Sequence, residues 1–148
     1  IRFTGKLDKT SDLCGEKLTA GMVDQALVSA SSQTGIQLDF ALLAPVESDP
    51  PRYEAYVEAN VNALELSRLE QCLEDQLLES YHYKYCRDLG QLGPIRVIQV
   101  HNGWKTFEST LISYGQRSGN IKPVHLDART TWCNVYSGNL QPGDRPWN

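Results

Sequence analysis

The start of the chain predicts a hairpin followed by an amphipathic helix. Two short runs between Ile1 and Leu18 are separated by turn-forming glycines and aspartates, which is typical of a hairpin or a pair of small strands. Apolar residues then recur at the i, i+3, i+4, i+7 spacing of one helix face, at Val23, Ala26, Leu27 and Ala30. Thr19 suits an N-cap and Gly35 a C-terminal stop, so we expect a helix between them.

Two runs with a period of two follow, and they predict a pair of strands. The first covers residues 36–44 and the second covers residues 53–59, each with apolar residues at every other position. The connector PVESDPPR contains Pro50 and Pro51, which cannot donate hydrogen bonds within a sheet. The pattern therefore predicts a β-hairpin with a long loop.

A long helix is expected next, with an ambiguous end. Its apolar stripe is predicted to consist of Leu66, Leu69, Leu73, Leu77 and Tyr81. The side that faces water is predicted to carry Glu70, Glu74, Asp75 and Glu79. The sequence S-R-L-E from Ser67 to Glu70 is a capping box that predicts the start. In YHYKYCRDLG the tyrosines alternate as in a strand, but no turn precedes them. We interpret this tract as the last helical turns, ending at Gly90 or Gly93.

The remaining elements are one strand, one helix and a polar tail. The run from Ile95 to Val100 is the most apolar and β-branched, so it is expected to form the central strand. Asn102-Gly103 leads into a last helix that ends between residues 115 and 119. Its inward-facing residues are predicted to be Phe107, Leu111, Ile112 and Tyr114. Beyond residue 123 the chain is polar, with three bulky residues that need somewhere to pack: Trp132, Tyr136 and Trp147.

These elements predict an α+β fold. An N-terminal β-hairpin precedes a small three-stranded sheet packed with about three helices. The helices are expected to cover one or both faces of the sheet, in a two-layer α+β sandwich. We divide the chain into a hinge and hairpin segment (1–18), a compact domain (19–123) and a C-terminal tail (124–148).

Composition narrows the function classes. The chain has 148 residues, 14 basic and 18 acidic, for a net charge of −4. An acidic chain without a basic run argues against a nucleic-acid partner. No apolar stretch approaches the length that spans a membrane, so we expect no membrane partner. The chain begins at Ile1 and its only methionine is Met22, which suggests that it was cut from something larger.

The cysteines and histidines predict neither disulfides nor a metal site. Cys14, Cys72, Cys86 and Cys133 form no C-x-x-C pair, and no histidine lies at a metal-finger spacing from them. Cys72 and Cys86 would lie about 21 Å apart along one helix, beyond the reach of a disulfide. The chain also lacks an N-glycosylation site. We therefore expect free thiols and a cytoplasmic location.

The common catalytic motifs are absent. The sequence has no P-loop, no G-x-G-x-x-G, no G-x-S-x-G and no H-E-x-x-H. We therefore expect this domain to be folded but inactive by itself.

Several segments resemble a known family. F-x-G-K-x-D at residues 3–8, followed by G-E-K-L at residues 15–18, resembles the hinge and hairpin that open the C-terminal domain of adenylate-forming enzymes. The wording S-D-L-x-G-E-K-L is similar to the Gretchen Hagen auxin-responsive family of acyl-acid amido synthetases. H-Y-x-Y-x-R-x-L-G-Q-L-G-P at residues 82–94 and the lysine-proline loop GNIKP at residues 119–123 agree with this family. The resemblance extends from Ile1 to Lys122.

The resemblance implies an activity. Members of the family use MgATP to convert a carboxylic acid into an acyl-adenylate, and then transfer the acyl group to an amino acid. ATP and Mg are held mainly by a large N-terminal adenylation domain, so none is expected in this chain alone. The chain resembles the C-terminal lid that closes over that domain and swings between the two half-reactions.

The resemblance also implies residue roles. Lys122 would place its ammonium against the α-phosphate and the attacking carboxylate; otherwise it is a solvated surface lysine. Asp8 would be the hinge, or else an ordinary turn residue. Lys6 stands where the superfamily usually has arginine, which weakens any bidentate contact.

Two further groups of residues are candidates for the functional site, and each also has a purely structural interpretation. Gly15, Glu16 and Lys17 would form the hairpin tip presented to the active site in the second half-reaction, or simply a turn. Tyr83 and Arg87 lie one helical turn apart and would form a stacked or hydrogen-bonded pair, or else a packed aromatic beside a solvated arginine.

Two other functions remain open. The chain could be a non-catalytic α+β interaction module that binds a partner through its Trp/Tyr-bearing tail. It could also be the lid of a related adenylating enzyme, such as a coenzyme A ligase, that delivers the acyl group to a thiol.

Overall fold

A computed structural model describes residues 10–137, which contain two small sheets and five α-helices. The strands are β1 (Thr10–Ser11), β2 (Leu18–Thr19), β3 (Phe40–Val46), β4 (Arg52–Glu58) and β5 (Arg96–Gln99). The helices are α1 (Ala20–Thr34), α2 (Ala63–Leu77), α3 (Tyr81–Asp88), α4 (Gly103–Ser113) and α5 (Trp132–Tyr136), and a 3₁₀ turn covers Ser118–Asn120.

The predicted hairpin and first helix are both confirmed. β1 and β2 pair antiparallel, with Thr10 opposite Thr19. Thr19 is the N-cap of α1, and its side chain accepts a 3.2 Å hydrogen bond from the Met22 amide. Gly35 ends the helix with a φ of +72°, a conformation that glycine adopts without strain. The four predicted apolar positions of α1 are its buried residues.

The three-stranded sheet has the order β3–β4–β5, with β4 in the centre. β3 and β4 pair antiparallel, as predicted, but the loop between them is shorter than expected. Pro45 and Val46 belong to β3 and Arg52 belongs to β4. A proline is tolerated because β3 is an edge strand. Within residues 10–137, its outer side forms one isolated bridge, between Leu43 and Leu126.

The prediction that residues 95–100 form the central strand is wrong. β5 is a four-residue edge strand that pairs in parallel with β4 alone. Its apolar sequence reflects packing against α2, whose glutamates approach its outer edge. The carboxylates of Glu70 and Glu74 accept hydrogen bonds from the amides of Val97 (2.9 Å) and Ile95 (3.1 Å).

Those two contacts also correct the predicted outer face of the long helix. Glu74 is buried and Glu70 is partly buried, whereas Asp75 and Glu79 are exposed as expected. Residues four apart lie on one face of a helix, so both glutamates reach the same strand. Side chains that satisfy the open amides of β5 also protect this edge from pairing with another strand.

The predicted long helix is two helices, α2 and α3. A capping box begins α2, but it is formed by Asn62 and Glu65, and Ser67 lies inside the helix. The break at residues 78–80 turns the chain, so Tyr81 does not continue the apolar stripe and is 73% exposed. The apolar helical spacing in the sequence runs on from Leu66 to Tyr81 across the break. The local sequence pattern therefore did not reveal that the helix is interrupted.

The predicted α+β class is confirmed, and helices cover both faces of the sheet, which is one of the two arrangements predicted. The domain therefore has three layers rather than the two of a simple sandwich. On one face, α1 and α2 pack against Ala41, Leu43, Tyr53, Ala55 and Val57 in what we call the first core. On the other face, α4 and α5 pack against Phe40, Leu42, Ala44 and Tyr56 in the second core. β4 is therefore buried on both sides.

The last predicted helix is α4, with one error in its inner face. Phe107 and Leu111 are buried, as expected, and Tyr114 is partly buried, but Ile112 is 45% exposed. Gly103 opens the helix close to the sheet: a Cβ added there would lie 2.3 Å from the ring of Phe40.

The described part of the tail, residues 124–137, packs against the sheet through its aromatic residues. Trp132 is fully buried in the second core, where its ring stacks on Phe107 at a centroid distance of 5.0 Å. Tyr136 stacks on Tyr56 at 4.8 Å. Trp147 lies outside the described residues. Within residues 10–137, no helix is long and apolar enough to cross a bilayer.

Candidate functional site

The tip of the N-terminal hairpin exposes two of its three predicted site residues. Gly15 and Lys17 are exposed and both have a positive φ, of +107° and +49°. Asp12 stabilises the turn, since its carboxylate accepts a 2.6 Å hydrogen bond from the Gly15 amide. The third residue, Glu16, points the other way.

Glu16 is fully buried and anchors the hairpin to the domain. One carboxylate oxygen accepts hydrogen bonds from the Tyr53 hydroxyl (2.6 Å) and the Leu13 amide (2.7 Å), and the other accepts one from the Cys14 amide (2.9 Å). A buried carboxylate needs this number of donors to offset the loss of hydration. Glu16 therefore holds the tip in place, and the role of Gly15, Glu16 and Lys17 in a half-reaction stays a prediction.

Two thiols lie beside this anchor. The Cys14 thiol is 3.4 Å from a carboxylate oxygen of Glu16, and the buried Cys86 thiol is 3.4 Å from the Cys14 carbonyl oxygen. Burial, the neighbouring Cys86 thiol and the Glu16 charge raise the pKa of Cys14 to about 12. A thiol with so high a pKa is a poor nucleophile at neutral pH. Cys72 and Cys133 are also free.

Tyr83 and Arg87 meet through a third residue, Glu74. The Tyr83 hydroxyl donates to one carboxylate oxygen at 2.7 Å, and the Arg87 guanidinium donates to the other at 2.8 Å. Burial, followed by the charge of Glu74, raises the pKa of Tyr83 above its ordinary range. Arg87 also donates to the Leu92 carbonyl oxygen at 3.0 Å. The cluster joins α2, α3 and the segment before β5, and a role of Tyr83 and Arg87 at the active site stays a prediction.

Lys122 projects from a segment that is fixed on both sides. It is exposed, and it forms no ion pair with any residue between 10 and 137. The preceding residue, Ile121, is buried in the second core, whereas Leu126 is buried in the first. Asp127 donates its amide to the Leu43 carbonyl oxygen at 3.0 Å. The segment thus crosses the outer edge of β3, with the lysine exposed.

The predicted hinge residues, Lys6 and Asp8, lie outside the described residues. Sequence reasoning also missed two residues that organise the described groups. Tyr53 was identified only as an apolar position of a strand, and Glu74 only as a surface charge. Their partners include residues more than ten positions away in the chain. A local sequence pattern contains no signal for such a partner, so these two residues look like any other tyrosine or glutamate.

A three-stranded mixed sheet with helices on both faces, preceded by a short hairpin, defines a small α+β domain. A family model described as the GH3 family C-terminal domain matches residues 22–129. The chain therefore belongs to the GH3 family, which is the Gretchen Hagen family that its motifs resemble.

The comparison with solved structures agrees. The chain is similar to a protein named GH3.15 acyl acid amido synthetase, with a TM-score of 0.73 and 14% sequence identity. The match covers 90% of this chain and 26% of the other, so the chain spans about a quarter of that protein's length. At this identity the similarity confirms the fold. No curated protein sequence matches the chain.

Proposed function

We propose that this chain is the C-terminal lid domain of an ATP-dependent acyl-acid–amino-acid amido synthetase. Its substrates would be MgATP, a carboxylic acid and an amino acid, and its partner would be an N-terminal adenylation domain of the same protein. The observation that carries the proposal is the match of residues 22–129 to the C-terminal domain of the GH3 family.

The placement of the two exposed groups supports a swinging lid. The hairpin packs on the first core through Leu18, whereas Lys122 follows directly after a residue of the second core. A rotation of the domain would therefore exchange one group for the other at a fixed active site. Lys122 would serve acyl-adenylate formation, and the hairpin tip would serve transfer to the amine.

Lys122 has the chemistry that adenylation requires. Negative charge accumulates on the α-phosphate as the carboxylate attacks, and a fixed ammonium stabilises that charge. The buried residues Ile121 and Leu126 hold the backbone on either side, which limits the cost of positioning the side chain. The long side chain is exposed and has no ion-pair partner among residues 10–137, so its charge is available to a phosphate.

The test compares Lys122→Ala with Lys105→Ala in the complete protein. Lys105 is an exposed lysine on α4 and serves as the matched control. Pyrophosphate release should fall by about 10²–10³-fold in Lys122→Ala, the effect of losing one preorganised electrostatic donor. Aminolysis of a supplied acyl-adenylate should change much less. Equal rates of pyrophosphate release in the two variants would contradict the role of Lys122.

The proposal includes two properties of the protein as a whole. The isolated domain should be inactive and should bind MgATP no more tightly than millimolar, since it carries one phosphate-contacting group and no phosphate-binding motif. Isothermal titration calorimetry would detect a submicromolar affinity, which would contradict a lid. We also propose a cytoplasmic location, supported by a cysteine pattern typical of a reducing compartment.

The interaction-module alternative is weakened for the described part of the tail. It relied on the tail aromatics, and two of the three pack inside the domain: Trp132 is fully buried and Tyr136 packs in the second core. The coenzyme A ligase alternative is disfavoured by the family match. Supplying coenzyme A in place of an amino acid should yield no acyl-thioester.

A further inference from the structure

Two thiols and one carboxylate converge beneath the hairpin. The sulfur atoms of Cys14 and Cys86 and a carboxylate oxygen of Glu16 all lie within 4.8 Å of one another. The sequence did not suggest this grouping, because Cys86 is 72 residues from Cys14. Cys86 and Glu16 are buried, and Cys14 is partly exposed.

We infer that Cys14, Cys86 and Glu16 form a binding site for a zinc-class divalent cation. Thiolate sulfur and carboxylate oxygen are ligands that Zn²⁺ accepts in tetrahedral sites. In such a site, a sulfur about 2.3 Å and an oxygen about 2.0 Å from the metal would lie about 3.5 Å from each other. The observed distance from the Cys14 sulfur to the Glu16 oxygen is 3.4 Å.

The carboxylate is already oriented by its neighbours. Glu16 presents one oxygen to the thiols, and its other oxygen is held by the Tyr53 hydroxyl, which lies 2.7 Å from the Ser11 hydroxyl. Outer partners of this kind fix the geometry of a metal ligand. Water would complete the coordination from the exposed side of Cys14, which also provides a path of entry.

The charges also favour a cation. The cluster joins one carboxylate to two thiols, and the ion pairs of the described chain all lie at other residues. A divalent cation would replace the two thiol protons and offset the negative charge that their loss creates.

Cobalt titration of the reduced, metal-stripped protein tests the site. Co²⁺ should give a thiolate charge-transfer band that saturates at one ion for the cluster and is displaced by Zn²⁺. Cys14→Ser and Cys86→Ser should each weaken binding by at least about 100-fold, and Tyr53→Phe by about 10–100-fold. Cys72→Ser and Cys133→Ser are the matched controls and should bind as the wild type does.

The outcomes separate the alternatives. A wild-type protein without the band, or a band that survives in both Cys14→Ser and Cys86→Ser, would overturn the inference. So would Cys14 and Cys86 forming a disulfide on mild oxidation while the reduced protein binds no cobalt. Circular dichroism monitors folding, and Cys86→Ala provides a second variant if Cys86→Ser does not fold. The amido synthetase proposal does not depend on these results.

Discussion

The Tyr53 hydroxyl donates a 2.6 Å hydrogen bond to the buried carboxylate of Glu16, linking the central strand to the N-terminal hairpin. The two residues are 37 positions apart in the chain. Within the described residues, the hairpin is held by only two pairs of opposing residues, too few to be stable alone. This contact is therefore a principal attachment of the hairpin, whose tip is the candidate site for the second half-reaction.

Tyr53→Phe should destabilise the protein because it leaves a buried carboxylate with one donor fewer. We expect a loss of about 1–3 kcal/mol in the free energy of unfolding. Urea denaturation would measure it, with Tyr85→Phe as the control, since Tyr85 is 52% exposed. Equal stability of the two variants would show that the Tyr53 hydroxyl does not contribute to holding the hairpin.

Glu74→Gln should destabilise the protein more than a surface substitution would, although the helical pattern predicted that Glu74 faces water. The change removes the charge that pairs with Arg87 and weakens the acceptors for Tyr83 and the Ile95 amide. We expect a loss of about 2–4 kcal/mol. The exposed Glu79→Gln is the control and should stay within about 0.5 kcal/mol of wild type. Denaturation midpoints that coincide would contradict a buried role for Glu74.

Gly103→Ala should destabilise the contact between α4 and the sheet. The new methyl would lie 2.3 Å from the Phe40 ring, so the helix or the ring must move. Overpacking of this kind costs about 1–3 kcal/mol. Gly119→Ala is a matched control, because a Cβ there meets nothing within 4 Å. Thermal unfolding would compare them, and a Gly103→Ala protein as stable as Gly119→Ala would argue against the close approach.

Stability should fall in alkaline solution. Burial raises the pKa of the Cys14 thiol from 9.0 to about 12, and raises the pKa of Tyr53, Tyr56, Tyr83 and Tyr136 above the ordinary value of 10.0. The unfolded chain therefore releases these protons at lower pH than the folded chain does. This stability is complete below about pH 9 and is lost as pH rises through the folded-state pKa values.

Melting temperatures and tyrosinate absorbance, measured together above pH 8, check this prediction. The tyrosinate absorbance of these four residues, three of them buried and Tyr136 partly buried, should increase only as the helical circular dichroism signal is lost. Full ionisation of all seven tyrosines with the helical signal intact would contradict it.

The sequence by itself determined the helices and strands that are specified by residues close together in the chain. The period of α1, its Thr19 cap and its Gly35 stop all act along one turn or one face, so the sequence alone places the helix. The same holds for the turn at Gly15 and for the β3–β4 hairpin. The motifs also identified the family, and the α+β class followed from the order of the elements.

Tertiary structure alone decided which side chains are buried and which strand is central. Glu16, Glu74 and Trp132 are polar or amphipathic residues in segments that look exposed, and each is buried by partners from distant parts of the chain. The energy of burying such a group depends on donors and surfaces that approach only when the chain folds. Short-range periodicity carries no information about those partners. For this reason the hairpin tip and Lys122 could be proposed as site residues from the sequence, while the anchors that hold the hairpin, and the thiols that meet beneath it, emerged only from the fold.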